Sequence, residues 1–339
     1  MRACSFAICL AMTLVGQPAA QAVLIQTVSG TGNVTVPPDD PGWANVGVLG
    51  VGTGIYLGDG WVLTASHVGV GPLVLSGTTY AAQAGTTVQL TNGGSPGRTT
   101  LTDLILFRLE APPAGLSGLT IAATTPADGT PVTMIGAGRD RGPFTEWSID
   151  TGTEPPTWTV VPSGGDAAGY LTDITRAMRW GTNAIDSSDV WVRASDLVPP
   201  LDVLSIATVF DVQPGGTEAQ AVFGDSGGGL FVKNDMAWEL AGLIFDVAAY
   251  AGQPVPGGTA VFGNLTYSAD LSFYRPQIMA IVPEPGYLAV VAGGLGAILF
   301  GTGCAHHRRG VAGGLRRGAF SSSLRSSGRH GRTAMAWDS

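Results

Sequence analysis

Short apolar runs, separated by glycine, proline, asparagine and aspartate, recur along residues 23–281. Short apolar runs between turn-forming residues are typical of buried β-strands, because helices usually extend over ten or more residues. The pattern therefore predicts strands at 46–49, 104–107, 132–136, 230–232 and 240–245.

The remaining pattern predicts turns and few helices. Apolar runs at 54–57 and 61–63 flank Gly58-Asp59-Gly60, which is a β-hairpin signal. A helix is predicted at 170–180, with a second candidate near 276–281, and residues 140–162 are predicted to form a long loop between two halves. Many short strands and few helices favour an antiparallel barrel or sandwich.

Composition restricts the partners that the chain can bind. Of 339 residues, 45 % are hydrophobic and only 12 % are charged. Residues 23–282 contain 9 basic and 23 acidic side chains, a balance of −14, which argues against nucleic acid as a partner because phosphate binding needs clustered lysine and arginine. The cysteines are Cys4, Cys9 and Cys304, so no disulfide can stabilise the central domain. No metal-binding spacing stands out, and we expect no cofactor.

Residues 1–22 have the three parts of a secretory signal peptide. Arg2 provides the positive end, residues 6–15 are apolar, and Ala20-Gln21-Ala22 is a small-x-small cleavage site. About ten apolar residues are too few to span a bilayer. We therefore predict that signal peptidase cleaves after Ala22, which leaves Val23 as the first residue.

Residues 286–305 are predicted to form a transmembrane helix. They contain no charged residue, and arginines follow at 308 and 309. Twenty helical residues at about 1.5 Å each match the roughly 30 Å thickness of a hydrocarbon core, and the arginines favour the cytoplasmic side. A membrane anchor is the simplest function of such a segment.

Pro283-Glu284-Pro285, this span and the basic cluster together resemble the bacterial PEP-CTERM sorting signal over residues 282–309. The resemblance implies that an exosortase-like enzyme cuts near the Pro-Glu-Pro and releases the protein to the cell-envelope surface or outside. Residues 310–339 depart from that pattern. They are rich in glycine, serine and arginine and are predicted to be a disordered basic tail.

Three separate segments carry the residue types that acyl transfer needs. His67 ends the run Thr64-Ala65-Ser66-His67, Asp103 begins an apolar run, and Ser226 lies in Gly224-Asp225-Ser226-Gly227-Gly228. A serine hydroxyl becomes a good nucleophile when an imidazole accepts its proton and a carboxylate orients that imidazole. His67 is the only histidine within residues 23–281, whereas Asp59 is a second candidate carboxylate.

The serine segment also fits the G-x-S-x-G pattern of α/β-hydrolases. In that fold the acid and the histidine follow the serine along the chain. The histidines after Ser226 are His306, His307 and His330, all beyond the apolar span, so they cannot share a folded core with it. Chain order therefore excludes this interpretation.

In the order histidine, aspartate, serine, the three motifs resemble those of the chymotrypsin-like serine proteases. The resemblance extends over about residues 50–281 and implies an all-β fold of two perpendicular six-stranded antiparallel barrels, so we assign residues 23–281 to a single protease domain. It also implies that His67 is the general base, Asp103 its orienting carboxylate and Ser226 the nucleophile. The N–H groups of Gly224 and Ser226 would form the oxyanion hole, and the substrate would be a polypeptide.

Asp225 and the substrate pocket follow from the same resemblance. Asp225 corresponds to the family's buried carboxylate, whose cationic partner here is either the new amino terminus near Val23 or an arginine such as Arg139 or Arg179. The pocket base falls at Gln220, and the substrate strand falls at Phe245, Asp246 and Val247. Gln220 carries no charge to select lysine or arginine, and Val247 would narrow the pocket toward small apolar side chains.

Three functions compete. An exported serine endopeptidase fits all three motifs. A catalytically silent surface protein that binds matrix polysaccharide or other partners would have the same fold, and the unusual residues at 245–247 favour it modestly. An esterase with the same triad is the third, since esters are easier to cleave than amides.

Overall fold

The computed structural model describes residues 23–27, 30, 32–194, 197–213, 216–254 and 258–282. Their secondary structure is almost entirely β. The strands are β1 (Leu24–Ile25), β2 (Val46–Leu49), β3 (Gly52–Gly58), β4 (Trp61–Ala65), β5 (Leu73–Leu75), β6 (Thr78–Tyr80), β7 (Val88–Thr91), β8 (Leu101–Arg108), β9 (Pro131–Gly136), β10 (Arg139–Asp150), β11 (Thr157–Val161), β12 (Ala167–Arg176), β13 (Arg179–Ala184), β14 (Ser187–Ala194), β15 (Leu201–Val209), β16 (Ala219–Gln220), β17 (Gly229–Asn234), β18 (Ala237–Ala248), β19 (Thr259–Val261) and β20 (Leu265–Asp270).

Two seven-stranded antiparallel sheets form the body of the protein. The first sheet has the order β6-β5-β2-β3-β4-β8-β7, and the second has the order β13-β9-β17-β18-β20-β15-β14. The five predicted strands are all present, so the all-β antiparallel prediction is confirmed. Each sheet has one strand more than the implied six. In the first sheet a tight turn at Ser76-Gly77, both with positive φ, adds β6 at the edge.

One apolar core joins the two sheets. Leu63 and Leu104 of the first sheet belong to the same buried cluster as Phe231 and Leu243 of the second. Each of these four side chains is fully buried. Removal of apolar surface from water is worth about 25 cal/mol per Å², so this shared core resists separation of the sheets. The residues that the two sheets carry are therefore held at fixed relative positions.

The predicted hairpin at Gly58-Asp59-Gly60 is confirmed between β3 and β4. Asp59 and Gly60 both have positive φ, at 49° and 84°. A two-residue type I′ turn needs positive φ at both central residues, and aspartate followed by glycine accepts that conformation. The turn starts β4 in the register that brings Ala65, and after it His67, beside β8.

A four-stranded sheet in the order β11-β10-β12-β19 corrects two sequence predictions. Residues 170–180 do not form a helix but lie in β12 and β13, and residues 140–162 are not a loop but contain most of β10 and all of β11. Strand β12 pairs with both β10 and β19. These long-range hydrogen bonds outweigh the helical pattern, which is a weak preference over such a short segment.

The chain of described residues ends in helix α1 (Leu271–Ile281), which confirms the candidate helix at 276–281 and begins five residues earlier. The carboxylate of Asp270 accepts the N–H of Ser272 and caps the helix. The buried hydroxyl of Tyr274 donates to Asn92 Oδ1 and accepts from the N–H of Leu204, so it links α1 to segments of both sheets. No helix within residues 23–282 is long and apolar enough to span a bilayer, and the predicted signal peptide, span and tail lie outside the described residues.

Candidate active site

His67 and Asp103 are brought together by the pairing of β4 with β8. Ala65 at the end of β4 lies opposite Leu104, and the N–H of Ser66 donates to the carbonyl of Asp103. The imidazole of His67 therefore lies beside the carboxylate, with Nδ1 2.6 Å from Asp103 Oδ2. The His67 N–H and the Ser66 hydroxyl both donate to Oδ1, at 3.0 and 2.5 Å.

This arrangement fixes the ring of His67. Asp103 is fully buried, whereas the His67 side chain is 29 % exposed. Because Nδ1 faces Asp103, Nε2 is the ring nitrogen that remains to accept a proton. Burial lowers the pKa of His67, but the hydrogen bond to Asp103 and the charges of Asp103 and Asp246 outweigh burial and raise the pKa above its ordinary 6.5.

Ser226 lies in the serine loop, residues 221–228, which connects β16 to β17 of the second sheet. The loop is held against the first sheet, since Thr53 N donates to Ser226 O across 2.8 Å and Thr53 Oγ1 donates to Gly224 O across 2.9 Å. Gly227 must be glycine, because its φ is +87° and a Cβ would lie 1.9 Å from the carbonyl oxygen of Thr53. His67, Asp103 and Ser226 consequently line one cavity of about 390 Å³.

The serine loop also presents two backbone donors. The N–H groups of Asp225, Gly227 and Gly228 donate to backbone carbonyls. Among the described residues, those of Gly224 and Ser226 have no acceptor within the protein, and both residues line the cavity. Two such N–H groups beside a serine hydroxyl are the donors that an oxyanion hole requires.

Asp225 is fully buried behind the loop. Its carboxylate accepts N–H groups from Val23 at 3.3 Å, Gly138 at 2.8 Å and Val222 at 2.8 Å. Burial raises its pKa to about 6, against the lowering effect of these donors and of the Arg176 charge. A Cβ at Gly138 would lie 2.4 Å from the carboxylate, so only glycine fits there.

The sequence left the cationic partner of Asp225 undecided. In the structure the backbone N–H of Val23 is in contact with the carboxylate, and Arg176 provides positive charge. Arg179 is buried close enough for Asp225 to act on its pKa, which burial lowers to about 10. Arg139 instead places its guanidinium 4.9 Å from the ring centre of Phe223. Sequence reasoning named Arg179 but not Arg176, because only the pairing of β12 with β10 decides which of these neighbouring arginines reaches the serine loop.

The cavity wall is mainly apolar and includes two of the three predicted pocket residues. Phe245 and Val247 line it together with Asp246, the middle residue of the predicted substrate strand. Gln220 is 2 % exposed and is not among the lining residues; its side-chain nitrogen donates to the carbonyl of Ala221, which forms the wall instead.

The second candidate carboxylate, Asp59, lies in the β3–β4 turn, where its carbonyl accepts a hydrogen bond from Arg108. Of the two carboxylates that the sequence offered, Asp103 is the one in contact with His67. Within residues 23–282 as described, no group of three histidine, cysteine or carboxylate side chains is arranged to hold a metal ion.

Several solved structures are similar to this chain. Mouse neuropsin, a serine protease, is 17 % identical, with 74 % of this chain and 98 % of neuropsin covered and a TM-score of 0.43. The Rv3671c protease from M. tuberculosis, in its active form, is 15 % identical, with 75 % and 92 % covered and a TM-score of 0.38. A mutant of human heparin binding protein (CAP37) is 16 % identical, with 75 % and 98 % covered and a TM-score of 0.44. No protein-family model and no curated sequence matches the chain. At these identities, function has to be inferred from the geometry of the site.

Proposed function

We propose that the protein is a serine endopeptidase that cleaves peptide bonds through an acyl-enzyme, with His67, Asp103 and Ser226 as its catalytic residues. The observation that carries the proposal is the 2.6 Å contact between His67 Nδ1 and buried Asp103, on the wall of the cavity that Ser226 also lines. This contact fixes the tautomer that leaves Nε2 unprotonated and stabilises the imidazolium when it forms.

The reaction follows from these positions. His67 Nε2 accepts the proton of Ser226 Oγ while Oγ attacks the carbonyl carbon of the substrate. The negative oxygen of the tetrahedral intermediate accepts hydrogen bonds from the N–H groups of Gly224 and Ser226, and loss of one such donor costs about 2.7–4 kcal/mol of barrier. His67 then donates the proton to the leaving amine. Water then attacks the acyl carbon while His67 Nε2 accepts its proton; the bond to Ser226 Oγ breaks, His67 returns the proton to Oγ, and the carboxylic acid product leaves.

Location and substrate preference belong to the same proposal. The signal peptide at 1–22 supports export, and the sorting-signal resemblance at 282–309 supports display at, or release from, the envelope surface after membrane insertion through 286–305. The apolar wall with Phe245 and Val247 supports a preference for small apolar substrate side chains. A peptide library that shows preferred cleavage after arginine or aromatic residues would contradict that preference.

A fluorophosphonate probe tests the proposal directly, because it phosphonylates only an activated serine. We expect the probe to label the unsubstituted secreted protein and not the Ser226→Ala variant. The unsubstituted protein, before it reacts with the probe, should also cleave peptide substrates. Labelling together with ester but not peptide hydrolysis would favour an esterase. Absence of labelling in a folded protein would favour the catalytically silent binding protein.

A further inference from the structure

Arg176, the last residue of β12, places its guanidinium between four backbone carbonyls. Nε donates to Ala137 at 2.8 Å, Nη1 donates to Gly50 at 3.2 Å, and Nη2 donates to Gly52 at 3.2 Å and to Gly224 at 3.4 Å. The planar fork of arginine can satisfy several acceptors at once, which lysine cannot do with the same geometry.

These four carbonyls belong to three separate parts of the site. Gly50 lies in the β2–β3 turn and Gly52 begins β3 of the first sheet, the sheet that carries His67 and Asp103. Ala137 follows β9 of the second sheet, and Gly224 lies in the serine loop next to the candidate oxyanion donors. One side chain from the four-stranded sheet therefore connects the histidine side of the cavity to its serine side.

The contact with Gly224 is close. A Cβ at this position would lie 2.8 Å from Arg176 Nε and 3.0 Å from Nη2, and the residue has a φ of +100°. The two peptide groups that flank Gly224 are both held, since Phe223 O accepts from Arg139 N at 3.0 Å and Gly224 O accepts from Thr53 Oγ1 and Arg176. Arg176 thus holds the peptide that follows Gly224, which lies between the two candidate oxyanion donors, the N–H groups of Gly224 and Ser226.

We propose that Arg176 is a positioning residue that holds the Gly224 peptide and the β2–β3 turn in register, so that the oxyanion donors of one sheet face the His67–Asp103 pair of the other. This rests on the proposed function in that the oxyanion hole is part of it. Arg176 is not among the residues that line the cavity, and the hydrogen bonds of its side chain go to backbone carbonyls rather than to the triad side chains. Its effect is therefore on the geometry of the transition state rather than on substrate affinity.

The kinetics of Arg176→Met distinguish an effect on transition-state geometry from an effect on substrate affinity. We expect kcat for a peptide substrate to fall between ten- and about 100-fold, the loss typical of a small displacement at a reacting centre, with KM changed less than about twofold. The midpoint of the acidic limb in the pH profile of kcat/KM should not move, because the His67–Asp103 contact is intact. Arg176→Lys, which keeps the charge but not the fork, should recover only part of kcat.

Hydrogen–deuterium exchange gives a second readout that does not depend on activity. In Arg176→Met, amides of residues 50–53 and 222–228 should exchange faster together, whereas those of β17 and β20 should not. Arg193→Met, which removes an equally charged but 60 % exposed side chain on β14, is the matched control and should leave both segments unchanged. Unchanged exchange in both segments, or an unchanged kcat in an active enzyme, would overturn the assignment. Failure of the unsubstituted chain to react with fluorophosphonate would instead count against the proposed function, and exchange would still test Arg176.

Discussion

Val23 donates its N–H to Oδ1 of Asp225 across 3.3 Å, although 202 residues separate the two in the sequence. Val23 is fully buried, and β1, which follows it, pairs with β16 at the start of the serine loop. If signal peptidase cleaves after Ala22, as the sequence predicts, this nitrogen becomes a charged α-amino group at a buried carboxylate. Export and formation of the site would then be linked by one cleavage.

A chain that begins at Val23 should therefore be more active than a chain with one additional glycine before it. Loss of one member of a buried ion pair is costly, so we expect at least about a tenfold difference in kcat/KM. Activity of the Val23 form should also fall as the pH rises through the pKa of its α-amino group, which the contact with the Asp225 carboxylate raises above the ordinary value of about 7.7–8.0. The measurement is kcat/KM against pH for both forms. Asp225→Asn should abolish the difference, and equal activity of the two forms would contradict the link.

Asp103→Asn should reduce kcat/KM by about 10⁴-fold, because an amide at this position favours the wrong tautomer of His67 and cannot stabilise the imidazolium. The substitution keeps the size of the side chain, so the fold should be preserved as judged by circular dichroism. Asp59→Asn is the matched control, since Asp59 lies in an exposed turn and should leave kcat/KM within about twofold. Equal effects of the two substitutions would show that Asp103 is not the orienting carboxylate.

Asp246→Asn should move the acidic limb of kcat/KM toward lower pH. Burial lowers the pKa of His67, while Asp103 and then Asp246 raise it. In the proposed mechanism His67 acts as the base only when it is neutral. A raised pKa of His67 therefore places the acidic limb of the pH profile at higher pH, and removal of the Asp246 charge lowers its midpoint. The variant should be more active than the unsubstituted chain on the acidic side. Asp235→Asn removes an exposed charge in the β17–β18 turn and should not move the limb. A limb that stays in place in Asp246→Asn would contradict the electrostatic contribution.

Glu218→Gln should stabilise the protein at alkaline pH. Glu218 is only 4 % exposed, and burial raises the pKa of its carboxyl group to about 7 from 4.5. The folded state therefore binds a proton that the unfolded state has released, so stability falls as the pH rises from about 4.5 to 7. Glutamine does not titrate and so removes this loss. Because a shift of one pKa unit corresponds to about 1.36 kcal/mol, we expect the free energy of unfolding to rise by about 1–3 kcal/mol at pH 8 and to change little at pH 4. Thermal unfolding at both pH values measures this, and equal gains at both would indicate a packing effect instead.

Local sequence determined the parts of the fold that depend on neighbouring residues. The hairpin at Asp59-Gly60 follows from two residues that accept positive φ, and the strands β8 and β18 follow from apolar runs that only a buried sheet can accommodate. The sequence motifs around His67, Asp103 and Ser226 were also enough to identify the candidate catalytic groups, because few side-chain combinations can activate a hydroxyl.

Tertiary structure decided what depends on residues far apart in the chain. Residues 170–180 have a helical pattern, yet β12 forms because β10 and β19 provide hydrogen-bonding partners on both sides. The same pairing places Arg176 against Gly224, and the strand pairing of β1 places Val23 at Asp225. Gln220 was predicted at the pocket base, but its amide is buried behind Ala221. The sequence alone identified the chemical groups because their reactivity is local, whereas their partners depend on contacts between segments that only folding brings together.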